Sequence, residues 1–278
     1  MPRRWHHERM ASSGRSVPCV LSIAGSDSGG GAGVQADLKA FARCGVHGMT
    51  AVTAITAQNT VEVTAVQAVR PDVIVAQVRA VVEDIGVDAA KTGMLGDEAT
   101  IEAVVEGLDL LQPGTPVVVD PVMVAESGAD LLDPGARGAL TEAILPRATV
   151  ATPNVPEAAR LAGVPADTGA HELARRVHAL GPRVVVVTGG HREEATDVVF
   201  DGREIVEIPG ERFPGGSAHG SGCTHSAALA AHLALGHDPI EAARRAKAIA
   251  AEAVRDGLRD VGAGPGPVNA LGVGVRVG

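Results

Sequence analysis

Residues 19–41 read CVLSIAGSDSGGGAGVQADLKAF. Cys19 to Gly25 is a short apolar run and Gly29-Gly30-Gly31-Ala32-Gly33 is a glycine loop; Val34, Leu38 and Phe41 then recur at i, i+4 and i+7. That order spells a buried strand, a flexible turn and a helix with one apolar face. The pattern returns downstream. Val117-Val118-Val119 and Val184 to Val187 are β-branched runs suited to buried parallel strands. Residues 72–84, 97–111, 136–145, 171–180, 220–235 and 238–257 read as helices. Asp201-Gly202, between Val198-Val199-Phe200 and Glu204-Ile205-Val206, reads as a hairpin turn. Alternating β and α elements imply an α/β fold with a mostly parallel central sheet and helices on both faces. In such sheets ligands sit beyond the carboxyl ends of the strands. Gly25 to Gly33, Asp120-Pro121 and Gly189-Gly190 each follow a strand-like run, so motif position and expected geometry agree.

At 278 residues the chain can bury a large core. Residues 1–16 are polar and basic and read as a disordered tail, while 17–278 read as a single domain without repeat or dividing linker. A net charge of −9 argues against nucleic acid or an anionic membrane as partner. Any polyphosphate must then be held locally, by helix ends and metal. With no Tyr, three Phe and one Trp there is no base-stacking platform. Cys19, Cys44 and Cys223 are far apart and odd in number, which suits a reducing cytosol and not a disulfide scaffold or structural zinc. No apolar run approaches the roughly 20 residues that span a bilayer, so the expected location is cytoplasmic.

Residues 219–226, HGSGCTHS, run into an alanine-rich segment. Glycines and small hydroxyl residues opening a helix leave backbone N–H groups free for an anion, and the helix dipole adds positive charge there. The same field is expected to draw the Cys223 thiol towards the thiolate. A phosphoryl group can be held at such a turn while a base takes a proton from an attacking alcohol. A small buried cysteine at an ordinary helix start is the plainer reading. The loop Gly25 to Gly33 contains a G-x-G-x-x-G-like match but lacks both an acidic ribose partner and a Gly-Lys-Ser/Thr, so close backbone approach to a small ligand accounts for it better.

Asp37 falls among Val34, Leu38 and Phe41, and a carboxylate on an apolar face must be paired or bind something, unless it merely offsets the helix dipole. Gln58 follows the run Met49 to Ala57 and offers an acceptor beside a donor, which matches an amino group next to a ring nitrogen. A satisfied loop amide is the alternative. Asp120, Asn154 and Glu157 follow strand-like runs and supply the hard oxygens that magnesium prefers, although Glu157 also suits a helix cap. His225 and His232 share a helix face and read as packed or solvated.

Several stretches lie in one order: 24–41, TAITAQNT (53–60), KTGMLGD (91–97), DPVMVAESGADLL (120–132), TPNVPEA (152–158), TGGH (188–191) and HGSGCT (219–224). Together they resemble the ribokinase-like superfamily, and within it the hydroxymethylpyrimidine/phosphomethylpyrimidine kinases of thiamine biosynthesis. The resemblance implies a ribokinase-like three-layer fold. It implies ATP-dependent phosphorylation of 4-amino-5-hydroxymethyl-2-methylpyrimidine and then of its monophosphate, with Mg2+, in a homodimer. By the same likeness Gly25, Asp37, Gln58, Met94 and Val122 line the pyrimidine pocket and Cys223 is the base. Gly220, Ser221, Gly222 and Cys223 form the anion hole, Thr188 and Gly190 meet the nucleotide, and Asp120, Asn154 and Glu157 organise the metal. Thr188 stands where members often have Lys, which bears on nucleotide affinity and on the second phosphorylation. The alternative is a pyridoxal/pyridoxine kinase of the same architecture, whose substrate lacks the aminopyrimidine edge that Gln58 suits. A silent binding protein is disfavoured because Cys223, the turn glycines and the Asn154/Glu157 pair are all present.

Overall fold

The computed structural model describes residues 15–124, 128, 131–190 and 195–274. Eight strands form one sheet. From one edge they are β10 (Ile205–Ile208), β9 (Asp197–Phe200), β8 (Val184–Val187), β7 (Val150–Ala151), β6 (Val117–Val119), β5 (Ala89–Thr92), β1 (Cys19–Ala24) and β2 (His47–Val52). Pairing is parallel from β2 through to β8 and antiparallel at β8–β9 and β9–β10. A separate antiparallel ribbon joins β3 (Ala54–Gln58) to β4 (Val63–Ala68). The helices are α1 (Gly33–Arg43), α2 (Pro71–Asp84), α3 (Glu98–Asp109), α4 (Ala136–Ala139), α5 (Val155–Ala162), α6 (Ala170–His178), α7 (Ser221–Ala234) and α8 (Pro239–Arg255). This is the ribokinase-like α/β fold.

Strand pleating sorts the core into two layers. Val20, Val118, Val184 and Val186 pack with residues of α1, α7 and α8, whereas Leu21, Ile23, Val117, Val119, Val185 and Val187 pack with α2, α3, α5 and α6. Consecutive valines can therefore be apolar throughout, because both faces are covered. Helix α7 shows no one-sided pattern: Ala227, Ala228, Ala230 and Ala231 are all buried, and only small side chains let it lie this close to its neighbours.

The helices expected from sequence are present with ends within two residues, except that 136–145 holds the short α4, continued to Arg147 by a wide turn and then a tight one. The hairpin at Asp201-Gly202 is also present, with Gly202 at φ +88°. The run Met49 to Ala57 is not one strand. It breaks at Thr53, so that β2 enters the large sheet and β3 leaves for the ribbon. Residues 1–14 of the expected tail lie outside the described residues; Arg15, also assigned to it, clasps Asp88 at 2.7 Å. Among the described residues no helix is long and apolar enough to cross a membrane.

Strand order reverses at β1, with β2 on one side and β5 on the other, and open sheets form ligand crevices at such a reversal.

Candidate active site

A cavity of about 480 Å³ opens beyond the carboxyl ends of the sheet. Gly25 at the end of β1, Gln58 at the end of β3, Met94 after β5 and Val122 after β6 line one part of it. Asp120, Asn154, Glu157, Thr188 and Gly190 follow, together with Gly220, Ser221, Gly222 and Cys223 at the start of α7. Residues scattered over most of the chain thus meet in one place. Asp37 is the exception: it is wholly buried behind the cavity wall.

Two loops interlock at the floor. Asp27 accepts hydrogen bonds from the N–H groups of Gly29 (2.8 Å), Gly31 (3.0 Å) and Ala32 (2.8 Å), and its Oδ2 meets Nε2 of His219 at 3.0 Å. Burial pushes Asp27 up, but the bond from His219 and those N–H groups outweigh it and hold the carboxyl below its usual range. Gly220, the N-cap of α7, sits at φ +84°, and any Cβ there would strike the Gly31 carbonyl. The free N–H groups of α7 are therefore held at a fixed place relative to the first glycine loop. Neither Asp27 nor His219 was expected in the site; both lie inside motifs whose glycines drew the reading.

Behind Cys223 lies a buried charge cluster. Lys91, in the middle of the sheet, donates to both oxygens of Asp37 at 3.0 and 3.1 Å, and Ser22 donates to Asp37 at 2.6 Å. The Lys91 ammonium also lies 4.0 Å from Asp120. Burial disfavours the ammonium, yet Asp37, Cys223 and Asp120 more than offset this and push its pKa up. Asp37 is the counter-ion of Lys91 and does not line the pocket as expected. Its neighbour Leu38 is 37% exposed, so the apolar face of α1 is turned away from the i, i+4, i+7 reading. Lys91 was missed because a lysine in a four-residue strand gives no periodic signal.

The expectation for the thiol is also corrected. Burial pushes the Cys223 thiol up to about 12, against the pull of Lys91 and of an N–H bond from Gly33, while Asp37 and Asp120 raise it further. The helix field alone does not decide its charge.

Asn154 and Glu157 form a capping box: Glu157 N–H donates to Asn154 Oδ1 and Asn154 N–H to Glu157 Oε2, both at 2.9 Å. The pair that looked like metal ligands therefore has a structural duty. Burial, and then the charge of Asp120, push Glu157 up to about 8. Two carboxyl groups repelling each other in a buried pocket are chemically suited to a hard cation, which keeps waters and needs only one or two carboxylates. The residues present fit magnesium on that ground. Ser226 fixes Asp120 by donating to its Oδ2 at 2.8 Å. On the far side Thr188 bridges to Asn154, and Gly189 leaves no room for a Cβ against the Thr196 backbone. His191 and part of the 120–132 motif lie outside the described residues.

Residues 27–269 match the phosphomethylpyrimidine kinase family. The chain belongs to that family. It is 49% identical over 256 residues to a hydroxymethylpyrimidine/phosphomethylpyrimidine kinase of Rhizobium meliloti, covering 90% of this chain and 96% of the relative. Among solved structures, the pyridoxal kinase of Staphylococcus aureus in complex with ADP superposes with a TM-score of 0.85 at 35% identity, covering 94% and 97% of the two chains. The phosphomethylpyrimidine kinase of Clostridium difficile superposes with a TM-score of 0.75 at 38% identity, covering 85% and 99%. A phosphomethylpyrimidine kinase family member is a phosphotransferase, and this cavity carries the parts that phosphoryl transfer uses: free N–H groups at a helix start, paired carboxyls and a buried cation.

Proposed function

We propose that the chain transfers the γ-phosphoryl group of ATP to the hydroxymethyl oxygen of 4-amino-5-hydroxymethyl-2-methylpyrimidine, and a second one to the resulting monophosphate. The diphosphate so formed serves thiamine biosynthesis. The observation that carries this reading is the single cavity holding both the Gln58–Met94 wall and the N-terminus of α7 with Cys223. Gln58 supports recognition of the pyrimidine. Among the described residues its side-chain amide is held by a long 3.4 Å contact from Thr56 to its oxygen, which leaves the NH2 group for the ligand. Gly25, Met94 and Val122 shape the same wall, and Thr188 and Gly190 serve the nucleotide.

The chemistry is positioning and charge management. The N–H groups of Gly222 and Cys223 receive the transferring phosphoryl oxygens, whereas the Ser221 N–H, expected to join them, is spent on the Ala218 carbonyl at 2.9 Å. In its thiolate form, reached when the thiol has lost its own proton, Cys223 takes the proton from the substrate hydroxyl as that oxygen bonds to phosphorus and ADP leaves. Asp120 and Glu157, with Asn154 beside them, would hold Mg2+, which when bound neutralises phosphate charge. Asp37 acts through Lys91 and is a positioning residue. The exposed Ile55 (58%) and Val66 (55%) on the small ribbon suit burial against a second copy, as in a homodimer. Three free cysteines fit a reducing cytoplasm. We assign residues 17–278 to one catalytic domain.

ATP consumption with purified protein and Mg2+ tests the reading, comparing hydroxymethylpyrimidine, its monophosphate and pyridoxal. Turnover of both pyrimidines is expected; turnover of pyridoxal alone would move the substrate to the second vitamin, which the Staphylococcus aureus structure favours. Replacing Gln58 by leucine is expected to raise KM for the pyrimidine by about 10- to 100-fold and to change kcat far less. Steady-state kinetics with ATP saturating decides this; equal KM values would remove Gln58 from the pocket.

Glu157 sets a pH dependence. Its carboxyl holds a proton in the folded protein up to about 8, whereas the unfolded chain has already released it. Stability of the metal-free protein therefore falls as pH rises from the ordinary carboxylate range to about 8. Cation binding requires the ionised form, so Mg2+ should bind tighter at pH 8.5 than at 6.5 by about tenfold or more. Calorimetric titration at the two pH values checks it, and Glu157→Gln should abolish the difference.

A further inference from the structure

One buried group in the cavity has no duty in the chemistry above. His225 is 4% exposed, lines the cavity, and lies on the first turns of α7. Helical side chains lean towards the N-terminus, so its ring leans back over the turn whose N–H groups are free. Its Nε2 faces Oδ2 of Asp197 at 3.4 Å, a contact too poorly aligned to be a hydrogen bond. Its Nδ1 has no partner among the described residues.

Asp197 itself is anchored. It is wholly buried, and its Oδ1 accepts from Gly189 N–H at 2.8 Å and from Lys247 Nζ at 2.6 Å. Burial pushes this carboxyl up, but His225, Lys247 and Gly189 hold it below its usual range, so it is charged. One carboxylate thus ties together the turn before Gly190, the start of α7 and the side of α8. Among the described residues both nitrogens of His225 and the Oδ2 of Asp197 are left without a hydrogen bond, and buried polar atoms left open are costly. The Lys247 charge is matched by Asp197, and the N-terminal dipole of α7 favours an anion beside the ring.

We propose that His225, braced by Asp197, binds a phosphate group of the nucleotide, in addition to the α7 N–H groups. With the nucleotide in place, a ring N–H is donated to a phosphate oxygen while Nε2 stays against Asp197. The class of ligand is a nucleoside di- or triphosphate, and the proposal rests on the reading that the Thr188–Gly190 side of the cavity takes the nucleotide.

The test is calorimetric binding of ADP and of adenosine to the full chain. His225→Phe keeps a ring of similar size without nitrogens, and His225→Leu gives a second apolar replacement. Both are expected to weaken ADP by about 10- to 100-fold while leaving adenosine unchanged. His225→Gln restores an N–H donor and is expected to recover most of the ADP affinity. A merely structural histidine would give equal losses for both ligands, or none, and either result overturns the assignment. A wild-type protein that binds neither ligand would overturn the nucleotide reading itself, and this inference with it.

Discussion

Cys223→Ala is expected to lower turnover by about 10²- to 10⁴-fold, the range of a general base, with KM values for both substrates little changed. Burial pushes this thiol up to about 12. Such a group is seldom ionised at neutral pH, but its thiolate is a strong base when it forms. Lys91, the Gly33 N–H and the α7 N-terminus all favour that thiolate. Above about 8, where Glu157 has lost its proton, kcat should therefore keep climbing with pH in the wild type. In the alanine variant that climb should vanish. A pH–rate profile for both proteins reads this directly. A Cys223→Ser or alanine enzyme with undiminished turnover would remove the cysteine from the chemistry and leave catalysis to the anion hole.

Breaking the Lys91–Asp37 pair should have the largest effect on stability. Both side chains are at 0% exposure, so Lys91→Met leaves a carboxylate buried without its counter-ion. Loss of one partner of a buried pair costs about 3–5 kcal/mol, enough to threaten folding of an ordinary domain. Replacing both, Lys91→Met with Asp37→Leu, removes the orphan charge and should regain most of that stability. Activity should not return, because Asp120 and Cys223 would lose the cation that faces them. Thermal melting and steady-state turnover on the two variants separate these outcomes. A double variant as active as the wild type would show that Lys91 serves packing alone.

Much of this architecture could be read from residues 19–41 and the two valine runs, because parallel strands covered on both faces write themselves as unbroken apolar runs. Short β5 could not be read, since Ala89-Ala90-Lys91-Thr92 has neither length nor pattern. The break at Thr53 was hidden because β2 and β3 are chemically alike and differ only in which sheet they join. The cavity gathers the motif residues found from sequence because ligand-binding loops in this fold all open on one side. What stayed out of reach was pairing across the chain. Asp37 looked like a ligand contact because its partner comes from residue 91, and Glu157 looked like a metal ligand while also capping its own helix. The thiol was misjudged because a local helix field is visible in sequence and desolvation is not.

The hydrogen bond between Asp27 and His219 joins residues 192 positions apart. During synthesis the first glycine loop leaves the ribosome long before its clamp exists. At about 5–20 residues per second, the amino-terminal strands wait on the order of ten seconds or more for α7 to arrive. A nascent chain can lay down much of the sheet in that time, yet it has no closed phosphate seat. The seat between the two glycine-bearing turns is therefore closed late and at one moment, when α7 docks.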